Sequence, residues 1–272
     1  MATRAARVSP RASPRAAPRT AALSAYVLHR YDWSESSLIL DLFTRDLGRV
    51  AVAAKGAKRP YSQFRSVLLP FQHITVMLGR AARDEASSEV QSLRGAEWAG
   101  GAAMLTGAAL FSGFYLNELL MKLLARLDPH IALFDMYAQT LPALVSPDDA
   151  QVQAALRAFE LALLREIGVL PDLSLVTLTQ QPVRDDARYS LQAEAGVTEA
   201  RGADGELAGS ALTGLQAALE HGSLAALQYA CRNDLPGLKL LLRSLIQHHL
   251  GSATLRTRRV MLELQSLQVE NP

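Results

Sequence analysis

Leu38-Ile39-Leu40-Asp41-Leu42-Phe43-Thr44, continued by Arg45-Asp46-Leu47-Gly48 and Arg49-Val50-Ala51-Val52-Ala53-Ala54, is the most informative segment in the first part of the chain. Its two flanks are apolar runs of strand length, and the segment between them ends in a glycine that can take a positive φ. That combination predicts a β-hairpin. Working outward, short apolar runs separated by turn residues predict strands over Ala25 to Arg30, Ser37 to Thr44, Arg49 to Ala54, Gln72 to Leu78 and Ser88 to Gly95. Short strands at this spacing close most economically into a small barrel.

Among such barrels the OB-fold commonly binds nucleic acid, through a basic groove and aromatic rings on which bases stack. The connection after the third predicted strand carries both ingredients: Lys55-Gly56-Ala57-Lys58-Arg59-Pro60, then Tyr61, Phe64 and Arg65. Cations there can neutralise phosphates, and Gly56 lets a backbone approach. The other reading is a solvated loop, with Phe64 belonging to the core.

Beyond Gly100-Gly101 the period changes to that of helices. Leu116, Leu119, Leu120, Leu123, Leu124 and Leu127 form one apolar stripe. A second helix is expected over Leu133 to Val145. A third, Gln151 to Ile167, should start from an aspartate in Ser146-Pro147-Asp148-Asp149 and end at Gly168, with Leu156, Phe159, Leu163 and Ile167 on one face. Between Pro171 and Gly209 helical periodicity lapses, and Arg188-Tyr189-Ser190-Leu191 with Gly196-Val197-Thr198 suggests a hairpin. Helices resume near Leu212, Ser223 and Gly237.

The class is therefore α+β: a small N-terminal β-barrel over 23–98, for which the OB-fold is the candidate, then a helical domain over 99–272 with a small hairpin insertion at 171–209. Residues 1–22 form a separate tail. Its first twenty residues hold five arginines, prolines at 10, 14 and 18 and no acid, so against a formal net charge of +2 the rest of the chain is net acidic. The tail is expected to be disordered, since it has too little apolar surface to offset chain entropy. Its prolines argue against the amphipathic helix of a transit peptide. Residues 98–117 carry no charge, but their glycines and Asn117 read as a buried helix rather than a membrane span. Cys231 is the single cysteine, which excludes an internal disulfide and a multi-thiolate metal site and fits a cytoplasmic location.

Catalytic motifs are thin. There is no phosphate-binding G-x-x-x-x-G-K-[ST] sequence, and Gly202, Gly205 and Gly209 lack dinucleotide-binding spacing. Adjacent His248 and His249 point about 100° apart on a helix and cannot act as an i, i+4 ligand pair. Asp84, Glu85 and Glu89 read as loop carboxylates rather than a nuclease site, and Cys231 as a core residue. Near the C-terminus Lys239, Arg243, Arg256, Arg258 and Arg259 lie in an acid-free segment between Asp234 and Glu263, suited to DNA, to an acidic protein or to solvent.

Taken together, a series of segments resembles the RecO family of recombination mediators. They are Val27-Leu28-His29, Trp33-Ser34-Glu35-Ser36-Ser37-Leu38, Phe43-Thr44 with Gly48-Arg49-Val50, Ala54-Lys55-Gly56-Ala57, Leu69-Pro70-Phe71 and Ala96-Glu97. The series continues with Tyr115-Leu116-Asn117-Glu118-Leu119-Leu120, Arg157-Ala158-Phe159-Glu160-Leu161-Ala162-Leu163-Leu164, His249-Leu250-Gly251 and Arg258-Arg259. Each is weak alone, but their order spans both domains.

The resemblance implies a non-enzymatic protein that binds single- and double-stranded DNA and anneals complementary strands. It also implies contact with the tail of single-strand-binding protein (SSB), and with RecR (and RecF) in loading RecA. By position, Arg49, Lys55, Lys58, Arg59 and Arg65 become DNA-contact candidates, with Lys239, Arg256, Arg258 and Arg259 a second set. For the acidic SSB tail the expectation is a groove between helices 102–127 and 151–167, with Lys122, Arg126 and Arg157 supplying charge. Many RecO-like proteins carry a four-cysteine zinc site between helical segments. Leu173 to Gly205 has no cysteine here, so no metal or other cofactor is expected and the hairpin should hold by packing alone. The competing reading is a helical adaptor with no direct DNA binding.

Overall fold

The computed structural model describes residues 21–79, 90–101, 104–202, 206–251, 255–260 and 263. The arginine-rich segment 1–20 and Asp84, Glu85 and Glu89 lie outside the described residues.

Strands β1 (Ala22–Asp32), β2 (Leu38–Thr44), β3 (Gly48–Ala54), β4 (His73–Leu78) and β5 (Val90–Trp98) close a barrel in the order β1-β2-β3-β5-β4, with a short helix α1 (Phe64–Val67) between β3 and β4. All neighbours are antiparallel except β3 and β5. This is the OB arrangement the short strands predict. β1 is longer than its apolar run because it serves two partners. Ala22 to Tyr26 pair with β4, Ala25 to Asp32 pair with β2, and a register shift between Val27 and His29 bends the strand from one to the other.

The period-two alternation of these strands feeds two cores. Ala25, Val27, Leu40, Leu42, Val50, Val52, Ile74 and Val76 fill the barrel. The intervening Tyr26, Leu28 and Phe43 point outward into the core of the helical domain. The predicted glycine turn is present, with Gly48 at φ +68. A Cβ on Gly48 would stand 1.8 Å from the Asp128 carbonyl oxygen, so glycine is required there for packing against the helical domain as well as for the turn.

The helical domain comprises α2 (Gly107–Leu123), α3 (Ile131–Ala143), α4 (Asp149–Glu166), α5 (Gly209–His221), α6 (Leu224–Cys231) and α7 (Leu235–His249), with a further helical turn at 256–260. Asp148 caps α4, its carboxylate accepting the Ala150 N–H. Gly168, at φ +75, closes the other end as Val169 N–H bonds back to the Leu164 carbonyl. Between these caps α4 is not the one-faced helix expected: residues 154–164 are all buried, because α3, α6 and α7 surround it. The apolar stripe of α2 also ends early. Leu124 turns the chain out of the helix, and Leu127 is exposed at φ +57 with its N–H donating to the Arg49 carbonyl.

The insertion forms a three-stranded sheet, β7 (Gly196–Glu199), β6 (Arg188–Gln192) and β8 (Leu207–Ala208). Packing alone does not hold it. Thr177 Oγ1 accepts the Val197 N–H (2.9 Å), and the Tyr189 hydroxyl accepts the Arg184 N–H (2.9 Å). The Glu206 carboxylate accepts the N–H groups of Arg201 (2.8 Å) and Gly202 (2.7 Å). A run of Thr, Tyr and Glu acceptors thus ties loops that a sequence reader would leave to apolar contacts.

Candidate nucleic-acid interface

At one end of the barrel the β1–β2 turn lies against the loop that follows β3. The turn is tight: Trp33 and Ser34 N–H both donate to the Ser37 carbonyl (3.3 Å each), and the Ser37 N–H donates to Ser34 Oγ (3.1 Å). Lys58 fastens the two loops together. Its backbone N–H donates to the Ser36 carbonyl (3.0 Å), and its ammonium reaches the Ser34 carbonyl (3.1 Å) and Asp32 Oδ1 (3.1 Å).

Around this junction Lys55, Arg59 and Arg65 are exposed, and none has an acidic partner among the described residues. Gly56, at φ +74, turns the backbone so that Arg59 folds back over it, and Arg59 N–H donates to the Gly56 carbonyl (3.1 Å). Tyr61 is 99% exposed and Trp33 57%. Phe64 packs against the barrel core, as the bland reading has it. Exposed carboxylates at Asp32 and Glu35 oppose the cations, but Asp32 is already matched by Lys58.

One candidate needs correction. Arg49 is not a surface cation: its guanidinium crosses to the helical domain, donating to the Met121 and Leu124 carbonyls, the latter at 3.1 Å, with Nε 3.6 Å from Asp41. The strand that displays it faces protein on that side, so the charge is spent on the seam. Lys58 is partly exposed and its ammonium is shared between Asp32 and the Ser34 carbonyl, so it joins the loops.

The three residues expected to receive an acidic tail are not brought together. Arg126 lies at the seam, 3.6 Å from Asp41. Lys122 is 3.5 Å from Glu118 on its own helix. Arg157 is buried in α4 and pairs at 2.7 Å with Glu160, which also accepts the Tyr115 hydroxyl (2.7 Å). Burial pushes the Glu160 carboxyl up, against the pull of Arg157, the Tyr115 hydrogen bond and Lys239.

In the second cation set, Lys239, Arg256 and Arg259 are exposed and Arg258 is half-buried. Desolvation and the neighbouring Arg243 lower Arg258 from its usual value, while Tyr115 acts the other way. Arg259 pairs with Glu263 at 3.8 Å. The turn that carries these arginines is held by Glu118, whose carboxylate accepts the N–H groups of Arg256 (2.8 Å) and Thr257 (2.9 Å) and the Thr257 hydroxyl (2.7 Å). Burial raises the Glu118 pKa, but these hydrogen bonds and Lys122 together bring it below its usual value.

Sequence reasoning missed the other exposed groups of the barrel end: His29, Arg30 and Tyr31, whose ring meets His29 edge-on at 4.4 Å. The signal was available in Arg30-Tyr31-Asp32-Trp33, two aromatics beside a cation just before a turn, the same pairing that marked 55–65. His248 ends exposed on α7, and Cys231 is buried, its thiol pushed up to about 12 mainly by desolvation. Among the described residues no three His, Cys, Asp or Glu side chains gather to hold a metal ion, and no helix is long and apolar enough to cross a membrane.

Comparison with known proteins adds the family. Residues 19–100 match the family model described as recombination protein O N terminal, and residues 104–259 the one described as recombination protein O C terminal. The chain is 51% identical over 245 residues to a DNA repair protein RecO of Polaromonas sp. (strain JS666 / ATCC BAA-500), covering 89% of this chain and 96% of that protein. It is 52% identical over 248 residues to that of Polaromonas naphthalenivorans (strain CJ2), with the same coverage. With the RecO of Albidiferax ferrireducens it shares 49% over 247 residues, 90% of this chain and 96% of the relative.

Proposed function

This chain belongs to the recombination protein O family of DNA-repair proteins, and from that premise we propose that it is a non-enzymatic recombination mediator that binds DNA at the Lys55–Arg65 end of its barrel. The observation that carries this reading is the set of exposed cations, Lys55, Arg59 and Arg65, that have no acidic partner among the described residues and lie in the same loop region as the exposed rings of Trp33 and Tyr61. Cations without carboxylate partners are free to displace counterions from phosphates, and exposed rings offer bases a face. A protein that holds two single strands loosely through their backbones leaves the base edges free to pair, which is what annealing requires.

The acidic SSB tail finds better support away from Lys122 and Arg126. Lys239 acts on Glu160 of the buried Arg157–Glu160 pair, and Arg258 on the 256–260 turn feels both Arg243 of α7 and Tyr115, which donates to that same Glu160. Cations outnumber the Glu118 and Glu160 carboxylates there, a positive surplus suited to an acidic peptide. In this reading the second cation set serves SSB, and the complex with RecR, which helps RecA load, builds on the DNA-bound form in a reducing cytoplasm.

The test is annealing of complementary labelled strands coated with the cognate SSB, run in EDTA across a salt series. Acceleration that survives EDTA and weakens with salt supports the mediator. Absence of both acceleration and DNA binding supports a protein-only adaptor.

A further inference from the structure

The geometry points to Trp33 as a base-stacking platform for single-stranded DNA, with Lys58 as the residue that positions it. This inference rests on the barrel end being the DNA site and adds what part of the DNA is read there.

The two tryptophans differ in what they do. Trp98 is exposed, but its indole N–H donates to Gln72 Oε1 (3.3 Å). Tyr31 is likewise occupied, its hydroxyl directed at Asp41 Oδ2 (3.5 Å) and its ring against His29. The Trp33 side chain has neither a hydrogen bond nor a ring contact among the described residues, although its backbone is pinned by the turn to Ser37. The Trp33 ring is held on a fixed turn with more than half of its surface open to water, which leaves a face that a base can cover.

Lys58 makes the turn part of the cationic loop. Its three contacts with Asp32, Ser34 and Ser36 flank Trp33 on both sides, and the Gly56 N–H adds a long contact to Ser37 Oγ (3.5 Å). The ring is therefore presented beside Lys55 and Arg59, whose charges can hold the phosphates of the strand whose base covers it. Duplex DNA keeps base faces inside its stack, so only a single strand can use this surface.

The test uses the full chain with Trp98→Phe, which leaves Trp33 as the one fluorescent indole. Titration with oligo-dT is expected to quench it at saturation, and duplex of equal length to leave it nearly unchanged. Trp33→Ala should weaken single-strand affinity roughly tenfold without changing the salt slope, because stacking releases no counterions. Trp33→Phe should recover part of that loss and Trp33→Leu should not, which separates a ring from mere apolar bulk. Lys58→Met should also weaken single-strand binding with the slope intact, as expected of a positioning residue and not of a phosphate contact. Salt-dependent binding with no quench, equal quench by duplex, or full affinity in Trp33→Ala would overturn the inference while leaving the DNA site standing. Loss of salt-dependent DNA binding in the parent chain would instead remove the site itself.

Discussion

Asn117 on α2 donates its amide hydrogen to the carbonyl of Leu28 on β1, at 2.9 Å, in the buried seam between barrel and helices. Its own oxygen accepts the Tyr137 hydroxyl at 2.6 Å. Around this chain the rings of Tyr26, Phe43, Phe134 and Tyr137 pack with centroids 5.0 to 6.2 Å apart. Asn117→Ala strands a buried carbonyl and a buried hydroxyl, each of which costs about 1–3 kcal/mol when unsatisfied. A marked fall in the urea midpoint is expected, with DNA affinity of the folded fraction preserved. A midpoint equal to the parent's would show that water takes the place of the amide.

Arg49→Ala should unfold the protein more readily and leave DNA binding intact. Its guanidinium pairs with buried Asp41 and caps the end of α2 through two carbonyls. Asp41 keeps Arg126 at 3.6 Å, so the cost should fall below the about 3–5 kcal/mol of a fully orphaned buried charge. Chemical denaturation reads the loss, and an unchanged salt slope for DNA separates Arg49 from the surface cations.

Lys55→Glu with Arg59→Glu should do the reverse. Both side chains are exposed, so stability should change by no more than about 0.5 kcal/mol each. The slope of log affinity against log salt should fall by about two, roughly one per lost phosphate contact. An unaltered slope would move the DNA site elsewhere.

Glu118 ties the turn at 256–260 to α2, and its pKa in the folded protein lies below the usual value. A depressed carboxylate adds stability above its unfolded pKa and loses it as pH falls through the folded one. The turn should thus stay docked at neutral pH and release below the ordinary carboxylate range. Hydrogen exchange at Arg256 and Thr257 would follow this, and Glu118→Ala should give the acid behaviour at neutral pH.

Chelation should not alter the insertion. Glu206 holds the Arg201 and Gly202 amides that close its loop, so EDTA is expected to leave exchange there unchanged and Glu206→Ala to speed it. Faster exchange in EDTA alone would reveal a bound metal.

Most strands and helices are legible because they announce themselves locally, while the short α1 and β8 do not. Leu40 and Leu42 alternate with Asp41 and Phe43, and Asp148 and Gly168 mark the two ends of α4. The OB barrel and helical architecture followed from such signals. What stayed hidden depends on partners far along the chain. Arg49 looks identical to Lys55 in a sequence, yet its acceptors at Met121 and Leu124 lie across a domain seam. Arg157 lay in a helix read as half-exposed, and only the crowding of α3, α6 and α7 around it makes the residue internal. Trp33 is visible as part of a motif, but its 57% exposure on a fixed turn is a property of the fold alone.

The shared aromatic seam has a consequence for how the molecule can be taken apart. Tyr26, Leu28 and Phe43 belong to barrel strands but are covered by α2 and α3. A fragment ending near Gly101 would carry an oily outer wall into water and should aggregate, and a chimaera that exchanges the barrel between relatives would need the matching faces of α2 and α3 to travel with it. Barrel and helices are in this sense one unit of inheritance, even though a different family model matches each.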